Sequence, residues 1–272
     1  MMVMTQALHK ATLVVTISLI TAVAWAQDVP QITQNGGCPD CDLDRASLRG
    51  LKLDGADFTD ASLTEADLKE VVLPNAKFRD ASLRRAELEK SVLRGTDFTE
   101  ARMRGVDLEK SDVTMARFNE ADLRDSDLAN ANIADSIFDQ ADLRRAFLRR
   151  ATGARASFRE ALLEEADLER SVFSRADFSN SRMARSDLDR AELDGANLAN
   201  ADLRGARLTS TNLRNANLVN ARLDDALMRR TDLSGANLSG ARGLTSEQLA
   251  MACGDEKTVL PDGLTVPSCS RE

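Results

Sequence analysis

Residues 56–70 read Ala56-Asp57-Phe58-Thr59-Asp60, Ala61-Ser62-Leu63-Thr64-Glu65, Ala66-Asp67-Leu68-Lys69-Glu70, with a large apolar residue third in each five and a small one first. The register runs from Leu43 to Leu238 without insertion or deletion. Five residues at about 100° each turn a helix by about 140°, which scatters the third residues round the axis and leaves no apolar stripe. A continuous strand fails too, because odd spacing throws alternate third residues to opposite faces. The chain must bend once per five residues, sending one small and one large side chain inward before each bend.

A second period lies inside the first. Phe58, Phe78, Phe98, Phe118, Phe138, Phe158 and Phe178 stand twenty residues apart, so four bends complete a circuit. At a strand spacing of roughly 4.8 Å, about ten such coils stack into a rod of about 48 Å. Each coil packs only on its neighbours, as in a solenoid.

Runs such as Ala56-Asp57-Phe58-Thr59-Asp60, Ala66-Asp67-Leu68-Lys69-Glu70, Ala196-Asn197-Leu198-Ala199-Asn200 and Ala236-Asn237-Leu238-Ser239-Gly240 resemble the pentapeptide repeat proteins over about residues 41–242. The resemblance implies an all-β fold, a right-handed quadrilateral β-helix. It implies no single activity, because members share a shape rather than a function. Two further implications are a DNA-mimic role, in which an acidic rod binds and protects DNA gyrase against quinolones, and homodimerisation through the C-terminal end, here near Leu249.

Outside the repeat, Lys10 precedes an apolar run from Leu13 to Val23, and Ala24-Trp25-Ala26 offers the small residues a signal peptidase needs. Residues 1–26 therefore read as a cleaved signal peptide. The expected product is exported, periplasmic or extracellular in a bacterium, and not an integral membrane protein after cleavage. Residues 27–40 form an N-terminal cap segment, 41–242 the solenoid and 243–272 a C-terminal cap. Thr245-Ser246-Glu247-Gln248 is a capping box that opens a short helix through about Ala252.

Four cysteines in an exported chain point to two disulfides. Cys38 and Cys41 lie at one end of the rod, Cys253 and Cys269 at the other, and bonding Cα atoms must approach within about 7 Å. The pairs are thus Cys38–Cys41 and Cys253–Cys269. Cys38-Pro39-Asp40-Cys41 has the spacing of redox C-x-x-C sites, but these need a helix N-terminus to activate a thiol. Here the second cysteine takes a first, inward position leading straight into the coil.

Cleavage removes Lys10, His9 and Trp25, leaving 35 basic and 44 acidic residues, a net charge of −9, and no His, Trp or Tyr. Acid–base work would fall to carboxylates alone, and a filled convex rod lacks a cleft. No enzyme, cofactor or metal site is expected; nucleic acid is disfavoured by the acidity and the export signal.

Function must then lie on the outward residues. Arg84, Arg104, Arg124 and Arg144 make a basic stripe suited, through forked guanidinium contacts, to an acidic protein partner or an anionic envelope polymer. Asp60, Asp80, Glu100 and Glu120 make an acidic stripe, continued by Gln140, Glu160, Asn180, Asn200 and Asn220. A third set, Asp67, Glu87, Asp107, Asp127, Asp167 and Asp187, runs beside Lys90, Lys110, Arg150, Arg170 and Arg190, which are expected to neutralise it. Gly153 takes a third position where the other repeats are large and apolar, and Phe173 stands one coil on to fill the gap. Phe147 and Leu162 are apolar at generally polar positions and suggest a small docking patch. The chain reads as an exported, rigid interaction or spacer module for a protein or envelope partner.

Overall fold

The computed structural model describes residues 28–269. The expected signal peptide, 1–26, lies outside the described residues. Helix α1, Asp28–Asn35, precedes the first coil and buries Ile32 in the core. Gly37 follows at φ +139°, where an added Cβ would meet the Asp57 carbonyl oxygen at 2.2 Å, so only glycine lets the chain lie down on the next coil here.

From Gly37↔Asp57 to Arg222↔Arg242, second-position residues twenty apart form parallel bridges. Each bridge is closed by two hydrogen bonds, as in Ser62 N–H to Cys41 C=O at 2.8 Å and Leu43 N–H to Ser62 C=O at 2.7 Å. Between bridges the chain turns, the first residue of a repeat donating to the third of the one before, as Ala46 N–H does to Leu43 C=O at 3.0 Å. Four such turns per twenty residues give the square section.

Every turn holds its fifth residue in the left-handed region. From Asp40 to Gly240 every fifth residue has φ between 54° and 72°, and only eight are glycine. A non-glycine residue there costs roughly 1 kcal/mol, borne by the stacking on either side. Met115, at φ 58° and 56 % exposed, has no charge to contribute in return. Met115→Gly should stabilise the rod by about 0.5 kcal/mol, the relieved strain exceeding the entropy glycine adds to the unfolded chain; thermal unfolding of the two proteins checks this.

The fourth residue's N–H points away from the ladder. Asp or Asn at the second position takes it, as Asp107 Oδ1 does from Glu109 at 2.9 Å and Asp177 from Ser179 at 2.9 Å. This local turn explains the recurring Asp and Asn ahead of the central residue.

Inside, third residues from Phe58 on are fully buried, and six successive phenylalanine contacts stack at centroid spacings of 4.5–5.2 Å. Phe173, in the next column, meets Phe158 and Phe178 edge-on, both at 5.5 Å. It lies over Gly153, where an added Cβ would stand 2.4 Å from Cε1, so no hole remains.

Helix α2, Ser246–Ala250, follows the last coil, with the capping box of Thr245 and Gln248 in place. Gln248 also donates to the Leu223 and Ala226 carbonyls at 2.9 and 3.0 Å. The chain then bridges back through Asp232↔Cys253 and Asn237↔Val259. Cys38 is bonded to Cys41 and Cys253 to Cys269. Leu249 is fully buried. Among the described residues, no helix is long and apolar enough to cross a membrane.

Candidate interaction surfaces

The basic stripe is less free than its spacing suggests. Arg124 binds Asp122 through Nε at 2.7 Å and Nη2 at 2.6 Å, and Arg144 binds Asp142 in the same way at 2.8 and 2.6 Å. Burial works to raise the Asp122 carboxyl, but the Arg124 guanidinium and backbone N–H outweigh it and hold it below the usual carboxylate range. Arg104 spends Nε on Asp125 at 3.0 Å, and Arg84 has no ion pair among the described residues. The upper half of the stripe is thus neutralised by acids two residues back in sequence, which bridge-position spacing places beside it. Around Gly105, which lacks the side chain Arg85 and Asp125 supply in adjacent coils, Arg84, Arg104 and Arg124 line a shallow groove of about 600 Å³.

The acidic stripe behaves oppositely. Asp60, Asp80, Glu100 and Glu120 are all exposed and, among the described residues, make no ion pair. Further along, charge gives way to amides: Gln140 donates to Glu160 at 2.9 Å, Asn200 to Asn180 at 3.2 Å and Asn220 to Asn200 at 3.4 Å.

The third set departs from expectation in its partners. Lys90, Lys110 and Arg170 turn to the glutamates beside them, Glu89, Glu109 and Glu169, and Arg190 also goes to Glu169. Fourth-position cations serve the set instead, as Lys69 does Glu87 at 3.1 Å and Arg149 does Asp167. Asp107 is left without a cation among the described residues, and burial, with Asp127, Glu89 and Glu109 nearby, pushes its carboxyl up. A carboxyl raised on folding is a cost paid only when ionised, so it is present at neutral pH and relieved as pH falls through the folded value. Asp107→Asn keeps the acceptor for Glu109 N–H and should raise the melting temperature at about pH 7 by less than the equivalent of about 1 kcal/mol, given surface screening. The gain should vanish towards about pH 3, and a gain independent of pH would contradict it.

Phe147 and Leu162 do not form one patch. Phe147 bridges Asp127 and Asp167 while Leu162 bridges Asp142 and Arg182, two ladders separated by a turn. Phe147 is 47 % exposed between carboxylates, and Leu162 is half-buried.

Among the described residues one trio of potential metal ligands converges, Asp232, Cys253 and Cys269, and its two sulfurs are spent in a disulfide. A closed disulfide has no thiolate to offer a cation, so the trio does not constitute a metal centre in this state.

The model for pentapeptide repeats matches in eight copies across residues 41–80, 76–114, 116–152, 154–191, 171–209 and 206–242. Among solved structures, HetL, a pentapeptide repeat protein involved in heterocyst differentiation regulation from the cyanobacterium Nostoc sp. strain PCC 7120, is 27 % identical, covering 79 % of this chain and 97 % of its own, at a TM-score of 0.47. A trypsin-treated form of QnrB1, a plasmid-mediated fluoroquinolone resistance protein, is 17 % identical over 72 % of this chain and 88 % of its own, at 0.43. A thylakoid-lumen pentapeptide repeat protein of Arabidopsis thaliana is 21 % identical over 44 % of this chain and 70 % of its own, at 0.24. No curated protein matches. With repeats matched through most of its length and a backbone that bridges every twenty residues and turns every five, the chain belongs to the pentapeptide repeat family, whose fold is the right-handed quadrilateral β-helix.

Proposed function

We propose that this chain is an exported, disulfide-closed rod of about ten coils that binds a protein or envelope partner through its side faces and carries out no catalysis. The observation that supports it most is the charge the rod leaves uncompensated. Asp60, Asp80, Glu100 and Glu120 rise one coil apart on a backbone whose every fifth residue is locked by its turn, while most other ion-pairing groups are internally matched. Such a row presents carboxylates at a repeat of about 4.8 Å, at a repulsive cost of roughly 0.9 kcal/mol per adjacent pair before screening. A basic partner surface would relieve it.

The test has two parts. Fractionation of the native host with intact mass spectrometry should recover, outside the cytosol, a chain beginning at Gln27 and lighter by the four hydrogens of two disulfides. Binding of a lysine-rich peptide should then fall in the D60N/D80N/E100Q/E120Q variant. The same unpaired row favours a second reading, a DNA mimic that protects gyrase. A full-length, reduced, cytosolic chain that preserves gyrase supercoiling in the presence of a quinolone would establish that reading and overturn export.

A further inference from the structure

Where a fourth-position cation on this rod pairs with a second-position carboxylate, it does so in one of two places. The acid lies two residues back, as in Arg124 with Asp122, Arg144 with Asp142 and Arg204 with Asp202, or eighteen residues on, as in Arg49 with Asp67, Arg79 with Asp97 and Arg149 with Asp167. Arg84 has Ser82 and Arg102 at those two places. Arg104 has Arg102 and Asp122, and Asp122 is already held by Arg124. Arg102 itself makes no ion pair among the described residues and is exposed. Two rungs in succession therefore lack the second-position acid that the same register supplies elsewhere, and Arg104 reaches only the fifth-position Asp125, through Nε.

The backbone repeats the deficit. At Arg124 the Asp122 carboxylate also accepts the Arg124 N–H, at 3.3 Å, so one carboxylate satisfies a backbone donor and both arms of a guanidinium. With Ser82 and Arg102 in the second positions, the N–H groups of Arg84 and Arg104 have no acceptor among the described residues. Their side chains line the groove opened by Gly105. The result is a donor-rich surface of two backbone N–H groups one coil apart and the guanidiniums of Arg84, Arg102 and Arg104, the last with both terminal nitrogens unspent, beside two carboxylates already held, Asp122 by Arg124 and Asp125 by Arg104 and Arg145.

We infer that the rungs of Arg84 and Arg104 form a carboxylate-binding site, in which Asp or Glu side chains of an acidic polypeptide segment take the places that Asp122 and Asp142 fill in the next two coils. The inference rests on the rod being a binding module and names a ligand class for a face other than the acidic row. A planar carboxylate is what the neighbouring rungs hold, with Nε and Nη2 reaching one oxygen each, and it suits the fork of arginine. A tetrahedral phosphate would meet the same charge without that internal precedent.

The test uses the disulfide-closed protein and a fluorescein-labelled hexaglutamate peptide, read by anisotropy at low salt. The informative variant is Arg102→Asp, which returns an acid two residues before Arg104 and eighteen after Arg84. It should weaken the peptide at least tenfold while leaving the melting temperature equal or higher; Arg144→Ala, on a rung already satisfied, should change binding less than twofold. Should Arg102→Asp fail to fold, the R84Q/R104Q variant reads the same loss. Absence of peptide binding to the wild type, unchanged binding in Arg102→Asp, or tripolyphosphate binding more tightly than the peptide would each overturn the site. The D60N/D80N/E100Q/E120Q variant reports on the other face, so a lost carboxylate site leaves the binding-module reading standing; failure on both faces removes it.

Discussion

Gly153→Leu should destabilise the rod by about 3 kcal/mol or more, although it restores the residue type the repeat otherwise demands. The cause is Phe173, whose ring already occupies the space: a Cβ on residue 153 would lie 2.4 and 2.6 Å from ring carbons and 2.9 Å from Ile133 Cγ1. Overpacking a filled core forces side chains off their rotamers or moves backbone, at typically 1–3 kcal/mol and more where nothing can yield. Here the coil spacing is pinned by hydrogen bonds of 2.8 Å from Gly153 N–H to Val172 C=O and from Ile133 N–H to Thr152 C=O. Phe173→Leu alone should cost about 2 kcal/mol, since it leaves Gly153 uncovered and removes two edge-on ring contacts. The double variant G153L/F173L rebuilds the Leu column seen at Leu73 and Leu93 and should unfold close to the wild type. Urea titrations of the four proteins measure the coupling, and additive losses would contradict it.

Gln248→Leu should open the C-terminal end at a cost of about 3 kcal/mol. One side-chain amide, 9 % exposed, makes three bonds: Oε1 accepts Thr245 N–H at 2.8 Å, and Nε2 donates to the carbonyls of Leu223 and Ala226. Leucine has nearly the same bulk and none of these bonds. It strands the buried Ala226 carbonyl, at about 1–3 kcal/mol when nothing replaces its partner, leaves the Leu223 carbonyl only the Ala226 N–H at 3.1 Å, and removes the acceptor of the exposed Thr245 N–H. Amide exchange should show the loss locally: protection falls in 223–253 and stays near the wild-type level around Phe98, because each coil contacts only its neighbours. A uniform loss along the rod would contradict this.

The cadence from Leu43 to Leu238 carried the square section, and the spacing of Phe58 to Phe178 carried the number of turns per circuit. Gly153 with Phe173 announced its own repair. The left-handed fifth residue was written in the sequence but not read from it: between residues 40 and 240, every glycine except Gly153 falls at that register. Thirty-three other residues there hid it, since charged side chains look like ordinary surface. The charge surfaces were legible as columns but not as free charge. Whether Arg124 or Arg84 is available depends on the second-position residue of the same repeat, Asp122 in one and Ser82 in the other. A ladder read along one column does not see it. Helix α1, Asp28–Asn35, is only eight residues long, too short for its period to be read as more than a cap.

The bridges between coils all point along the rod, as in Leu63 N–H to Ser82 C=O at 2.7 Å, and they come singly, one to each side of the square. Under tension applied between residues 28 and 269 this geometry puts the load on one coil at a time. Bonds aligned with the pull break in sequence rather than sharing the force in parallel. Each coil that peels away pays out twenty residues, roughly 70 Å of slack, and the layer beneath is then the next to yield. The molecule is stiff when pushed or bent, yet under traction it lengthens in even steps, like a cord drawn off a spool.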